Sequence, residues 1–179
     1  LQQRLKVTTV MVTHDQEEAL SMSDRVVVMR QGSIEQIGTP QDVYERPATP
    51  FVADFLGKVS VLKGVSAGGG RYRVGDVDLD LGVDGFAPGD PVRIYLRPED
   101  RHLEGDLARM PNRLRGQVRH IEYLGTVCLA SLHCAALGQP MLVSMSLNQL
   151  HDLDIRAGTD LDFALRVDRV RVFAESTVR

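Results

Sequence analysis

Two stretches near the middle of the chain decide its architecture: GDVDLDLG at residues 75–82 and DPVRIYLR at residues 90–97. Apolar and polar side chains alternate along both. Neighbouring side chains of an extended backbone point to opposite faces, so each stretch reads as a strand with one dry face and one wet face. Working outward, similar runs recur between Gly, Pro and Asp punctuation: VSVLKGVS, RYRV and VDLDL before the second stretch, and LRGQVRHIEYLG, TVCLASLH, QPMLVSMS, DLDFALRV and RVRVF after it. Short strands with turn signals at a spacing of about ten residues predict an antiparallel barrel. Only LNQLHDLDI, residues 147–155, reads as helical here. Gly68-Gly69-Gly70 lies between two strand patterns with no GK[ST] behind it, so it reads as a hairpin loop, not a phosphate loop.

Before residue 58 the texture is different. VTTVMVT, residues 7–13, reads as a short buried strand, and HDQEEALSMSDR supplies a helix from about Asp15 to Ser23. Thr13 with Gln16, and Asp15 with Glu18, both offer capping pairs, and acids fill the first turn where the helix dipole favours them. RVVVMR, residues 25–30, carries a continuous apolar run, which predicts a strand covered on both faces in a parallel sheet. Strand, helix, strand in this order is an α/β signature. Gln31-Gly32 then turns the chain into an edge strand, SIEQI. Thr39 and Pro40 open a short helix that Pro47 ends, and Pro50 to Leu56 form another, closed by Gly57. The expected division is an α/β part over residues 1–57 and an all-β part over residues 58–179.

Composition narrows the function classes. Of 179 residues, 43% are apolar and 25% charged, as a packed domain requires. The formal net charge of −3 and a pI near 6.0 argue against a nucleic-acid coat. The aromatics of the β-rich part (Tyr72, Phe86, Tyr95, Tyr123, Phe163 and Phe173) are too thinly spaced for a base-stacking platform. No run approaches the roughly 20 apolar residues that cross a bilayer. Cys128 and Cys134 match neither a redox pair nor a zinc knuckle and read as buried free thiols. With no secretory leader pattern at the start, they fit a reducing cytoplasm. The histidines His14, His102, His120, His133 and His151 show no metal-ligand spacing, and no catalytic pairing is evident in the β-rich part. Arg97-Pro98-Glu99-Asp100 follows a strand and reads most simply as a solvated turn. An inter-subunit contact or a ligand-facing rim are its alternatives.

One histidine stands apart through its setting. VTTVMVTHDQEEALSMSDRVVVMRQGSIEQIGTPQDVYERPATPFVADFLG closely resembles the C-terminal end of the ATP-binding subunit of bacterial ABC importers. The resemblance implies that His14 is the switch histidine, which contacts the γ-phosphate of ATP and the partner subunit across a nucleotide sandwich. Such a role is physically sound, since ligands of parallel α/β sheets bind at strand ends and an imidazole there hydrogen-bonds a phosphate oxygen. Downstream, IYLRPED, IEYLG and the closing RVRVF resemble a TOBE domain, an OB-like regulatory barrel that follows this ATPase type. The implied fold is therefore an α/β remnant of a P-loop ATPase domain followed by an all-β OB-like barrel.

The G-x-x-x-x-G-K-[ST] loop, the Walker B acid and the LSGGQ-type signature are not in this sequence. The family places all of them upstream, and the first residue is Leu1, so the chain is expected to be a piece of a longer protein. ATP and Mg²⁺ would be cofactors of that parent, and this chain alone should neither hold nor hydrolyse ATP. The expected partners are a second copy of the subunit and the transmembrane permeases. The expected location is cytoplasmic, peripheral to the inner face of the membrane. A solute of the sulfate, polyamine or 2-aminoethylphosphonate type is implied. The alternative reading is an OB-like module binding a small oxyanion. Oligonucleotide binding is the poorer third option, and no nucleic-acid partner is expected.

Overall fold

The computed structural model describes residues 7–177. Every strand run expected after residue 57 forms a strand. They are β3 (Ser60–Gly68), β4 (Arg71–Val74), β5 (Val77–Asp80), β6 (Pro91–Leu96), β8 (Arg113–Tyr123), β9 (Val127–Cys134), β10 (Gln139–Ser146), β11 (Asp160–Leu165) and β12 (Arg171–Ala174), with a two-residue β7 (Arg101–His102) besides. They build two five-stranded antiparallel sheets, ordered β10-β9-β8-β11-β7 and β12-β6-β3-β4-β5. The expected alternation holds for Leu79, Val92, Ile94 and Leu96, which face inward, and for Asp78 and Asp80, which face water, whereas Tyr95 and Arg97 on the expected wet face are buried. Tyr72, Phe163, Leu132 and Met141 join the inward-facing apolar residues in one core between the sheets. The helical stretch appears as α4 (Leu147–Asp152), opened by a capping box of Ser146 and Gln149.

The two sheets are joined along their margins by carboxamides. Lys63 on β3 donates its backbone N–H to Gln139 Oε1 at 2.8 Å, and its carbonyl accepts from Gln139 Nε2 at 3.0 Å. Asn112 treats Asp80 in the same way, at 2.7 and 2.6 Å. Each amide thus mimics one antiparallel bridge. Leu142 N–H donates to Ser60 Oγ at 2.8 Å beside the first. A side-chain amide presents an N–H and a carbonyl oxygen side by side, as the N–H and C=O of one strand residue do across an antiparallel bridge, so both backbone groups are satisfied at once.

The N-terminal part departs from expectation. Residues 7–13 form no strand, and all of them but the half-buried Thr13 are solvent-exposed. The helix does form, as α1 (Gln16–Met22), and Asp15 caps it by accepting from Glu18 N–H at 3.0 Å. The strand over residues 25–30 is β1 (Val26–Arg30), yet it pairs antiparallel with β2 (Ser33–Gly38) in a two-stranded hairpin, not in a parallel sheet. Only Val26 and Val28 are buried, whereas Val27 and Met29 are 48% and 54% exposed. A continuous apolar run shows that either face tolerates burial, but it does not supply a second covering layer. The tight Gln31-Gly32 turn brings the local antiparallel partner first. Short helices α2 (Pro40–Glu45) and α3 (Pro50–Phe55) follow, capped by Thr39 and Thr49 with proline at the first helical position of each. Val26, Val28, Val43, Val52 and Leu56 make a second, smaller core that shares no residue with that of the β-sheets.

Both cysteines are buried and free. Burial pushes the Cys134 thiol up to about 11. Gly69 and Gly70 have positive φ and turn β3 into β4, as the hairpin reading required.

Candidate functional site

The two cores meet at a joint made of polar and aromatic groups. Arg97 leaves the end of β6 and runs inward until it is 7% exposed. Its guanidinium lies over the Tyr44 ring, 4.3 Å from the centroid, and its Nη2 donates to the Tyr44 carbonyl at 3.4 Å. Tyr44 projects from α2. Its ring packs on the smaller core, while its hydroxyl donates to Glu99 Oε1 at 2.6 Å. One turn of sequence therefore supplies both the cation above the ring and the acceptor beyond it. Neighbouring Glu45 pairs with Arg169, which follows β11. Lys58 reaches Glu122 at 2.7 Å, and Tyr95 hydroxyl lies 3.4 Å from Asp54. The expectation of a solvated RPED turn is thus corrected. Glu99 is exposed, but Arg97 and Arg101 are buried, because a planar guanidinium on a long apolar stem stacks where an ammonium would demand water.

Electrostatics at the joint follow from that burial. Arg101 Nη1 donates to the carbonyls of Arg97 and Asp100 at 3.0 and 2.9 Å, leaving Nε and Nη2 without a partner. Burial lowers its pKa to about 10. It also lowers that of Arg97, against the raising fields of Tyr44 and Glu99. The Tyr44 hydroxyl is driven well above its ordinary value, first by burial and then by its hydrogen bond to Glu99. Asp100 is shifted up, by burial first and the Glu99 charge second. Between the two parts lies a cavity of about 260 Å³, walled by Tyr44 and Glu45 on one side and by Arg97, Glu99, Asp100, Arg166 and Arg169 on the other.

His14 is not part of that cavity's lining. It is exposed, at a bend between residues 7–13 and α1, and Thr13 Oγ1 accepts from the Asp15 N–H at 3.0 Å. The end of a buried strand, where it was expected, does not exist here. His102, His120, His133 and His151 are dispersed over β7, β8, β9 and α4. Among the described residues, no group of three or more His, Cys, Asp or Glu is placed to hold a metal. Nor is any described helix long and apolar enough to cross a membrane. Tyr44 escaped the sequence reading, since one aromatic in TPQDVYERP carries no sign that its ring meets a turn more than fifty residues away.

Residues 94–173 match the family described as "TOBE domain". The sulfate/thiosulfate import ATP-binding protein of Rhodopseudomonas palustris is 39% identical over 177 residues, 98% of this chain and 48% of that protein. The Fe(3+) ions import ATP-binding protein 2 of Rhizobium meliloti is 35% identical, over 98% of this chain and 47% of its own length. The spermidine/putrescine import ATP-binding protein of Nitratidesulfovibrio vulgaris is 50% identical over 138 residues, 70% of this chain and 36% of that one. Among solved structures, the cytoplasmic molybdate-binding protein ModG shares the fold, with a TM-score of 0.52 at 17% identity over 64% of this chain and 94% of that one. The chain spans about half the length of the curated relatives it matches. Residues 94–173 are a TOBE domain, and the chain belongs with the C-terminal parts of ABC importer ATP-binding subunits.

Proposed function

We propose that the chain is the C-terminal regulatory and dimerising portion of the ATP-binding subunit of an ABC importer, which drives solute uptake by ATP hydrolysis. The observation that carries this reading is similarity along nearly the whole chain to import ATP-binding proteins. The N-terminal part is then a remnant of the P-loop ATPase domain. Its exposed apolar side chains (Val10, Val12, Val27, Met29, Ile34 and Ile37) support that role, because a patch of this kind is normally covered by further protein. Of the nucleotide site, this chain carries only His14. ATP and Mg²⁺ belong to the parent, and no hydrolytic step is derived from the residues here. The TOBE domains hold two copies together and keep the subunits at high effective concentration while the nucleotide sandwich opens. The other partners are the transmembrane permeases at the inner face of the membrane. The solute class is sulfate, polyamine or 2-aminoethylphosphonate.

The test begins with the reading frame upstream of Leu1, which should encode a phosphate-binding loop and an LSGGQ-like segment. In the protein so encoded, His14→Ala should lower ATP hydrolysis about a hundredfold or more, the scale of removing a group that stabilises developing charge. A frame without that loop, or an unchanged rate, overturns the reading. A second reading, a small-oxyanion module, draws on the fold shared with ModG, whose structure holds molybdate. Molybdate or sulfate raising the melting temperature of the isolated chain would favour it.

A further inference from the structure

The cavity at the joint has walls from two parts whose cores are separate, so anything bound there touches both. Its charged lining is balanced: Arg97, Arg166 and Arg169 against Glu45, Glu99 and Asp100. Most of these charges are already engaged. Glu45 holds Arg169, Glu99 accepts from Tyr44, and Arg97 lies on the Tyr44 ring. Two groups of opposite sign are not. Arg166 and Asp100 sit on backbones that touch, with Arg166 N–H donating to the Asp100 carbonyl at 3.3 Å, yet their side chains close no ion pair within 4.0 Å among the described residues. Arg97 adds its positive charge to the same wall, although its unpartnered Nη1 is itself closed off from the cavity. An anionic acceptor beside the unpaired Arg166 guanidinium makes a charge-assisted hydrogen bond, stronger than one between neutral groups.

We propose that this cavity is a regulatory binding site for a small zwitterion, a molecule with an anionic oxygen group for Arg166 and an ammonium group for Asp100. A simple anion would meet three carboxylates at short range, and a simple cation three guanidiniums. A ligand carrying both signs meets each with its complement. Bound there, it ties α2 to the RPED turn and the segment after β11, so its occupancy sets how firmly the N-terminal part is held against the TOBE domain. This site does not depend on the importer reading, because binding is measured without ATP.

The experiment is isothermal titration and thermal melting of the protein with phosphoethanolamine and β-alanine as zwitterion probes, and with inorganic phosphate and ethanolamine as single-charge controls. Saturable binding and a raised melting temperature are expected with at least one zwitterion, exceeding both controls. Arg166→Ala and Asp100→Asn should each weaken that binding about tenfold or more, while Arg115→Ala, on the far sheet face, leaves it unchanged. Both variants alter partly exposed side chains, and their melting without ligand checks that they fold. Absence of binding by either zwitterion, an equal response to phosphate alone, or undiminished binding in both variants overturns the proposal and leaves an ordinary ion-paired joint.

Discussion

Arg97 brings a full charge into a nearly dry contact, and the contact is tolerated because the ring of Tyr44 and a backbone carbonyl share it. Stacking of a desolvated guanidinium on an aromatic face contributes about 2 kcal/mol. Arg97→Ala should therefore lower the unfolding free energy by about 2–3 kcal/mol, measured by urea denaturation, since it also strips the apolar stem from the joint. Arg97→Lys keeps the charge but loses the plane, and should recover less than half of that. Titration provides a second check at this scale. Tyr95 is held up to about 12 and Cys134 up to about 11, each chiefly by burial, from ordinary values of 10.0 and 9.0. Both acids release their protons earlier in the unfolded chain. The stability they contribute is complete below about pH 9 and falls as pH rises toward 12. Arg101 acts in the opposite sense, since its lowered value means the unfolded chain binds its proton more tightly. Melting temperatures from pH 8 to 11 should fall, and tyrosinate absorbance should lag behind that of free tyrosine. A rise in stability over that range would show that Arg101 outweighs the acids.

At the scale of elements, the margins between the sheets hang on two amides. Gln139→Glu is nearly isosteric but replaces the donor facing the Lys63 carbonyl by an acceptor, and Asn112→Asp does the same opposite Asp80. Each should cost about 1–3 kcal/mol through the unmet carbonyl and the repulsion between acceptors. Hydrogen exchange should accelerate at Lys63 in the first variant and at Asp80 in the second, each independently of the other. The strands themselves were legible in the sequence because alternation and turn residues are local signals. The hairpin β1–β2 was half legible: both strands were read, but not their mutual pairing. An apolar run says that burial is acceptable, and the covering layer it awaits is decided elsewhere. Residues 7–13 make the same point more strongly. β-branched residues favour a strand only when a neighbouring strand is there to receive their hydrogen bonds.

For the molecule as a whole, the division into two cores with a polar joint is the governing feature. The solvent face of the hairpin places Val27 opposite Ile37 and Met29 opposite Ile34, four apolar side chains in a block. Val27→Thr with Ile37→Thr should reduce both dye binding to the native chain and concentration-dependent sedimentation, with stability changed by less than about 1 kcal/mol because little buried area is lost. Unchanged sedimentation would show that this face has no part in self-association. The joint itself was invisible in the sequence. RPED carries four residues of which three are charged, and surface placement is the ordinary fate of such a turn. What overrides it is a tyrosine from an earlier helix, a long-range meeting that no local pattern encodes.

The amide closures have a consequence for how this protein grows old. Hydrolysis of an asparagine or glutamine side chain leaves a carboxylate and adds a single mass unit, a slow chemical change hastened by heat. At Asn112 or Gln139 that conversion would unfasten one margin between the sheets while leaving every strand intact. Stored protein should therefore loosen at its two rims before its interior fails, and the acidic species that accumulate on ion exchange should be the ones with those margins undone.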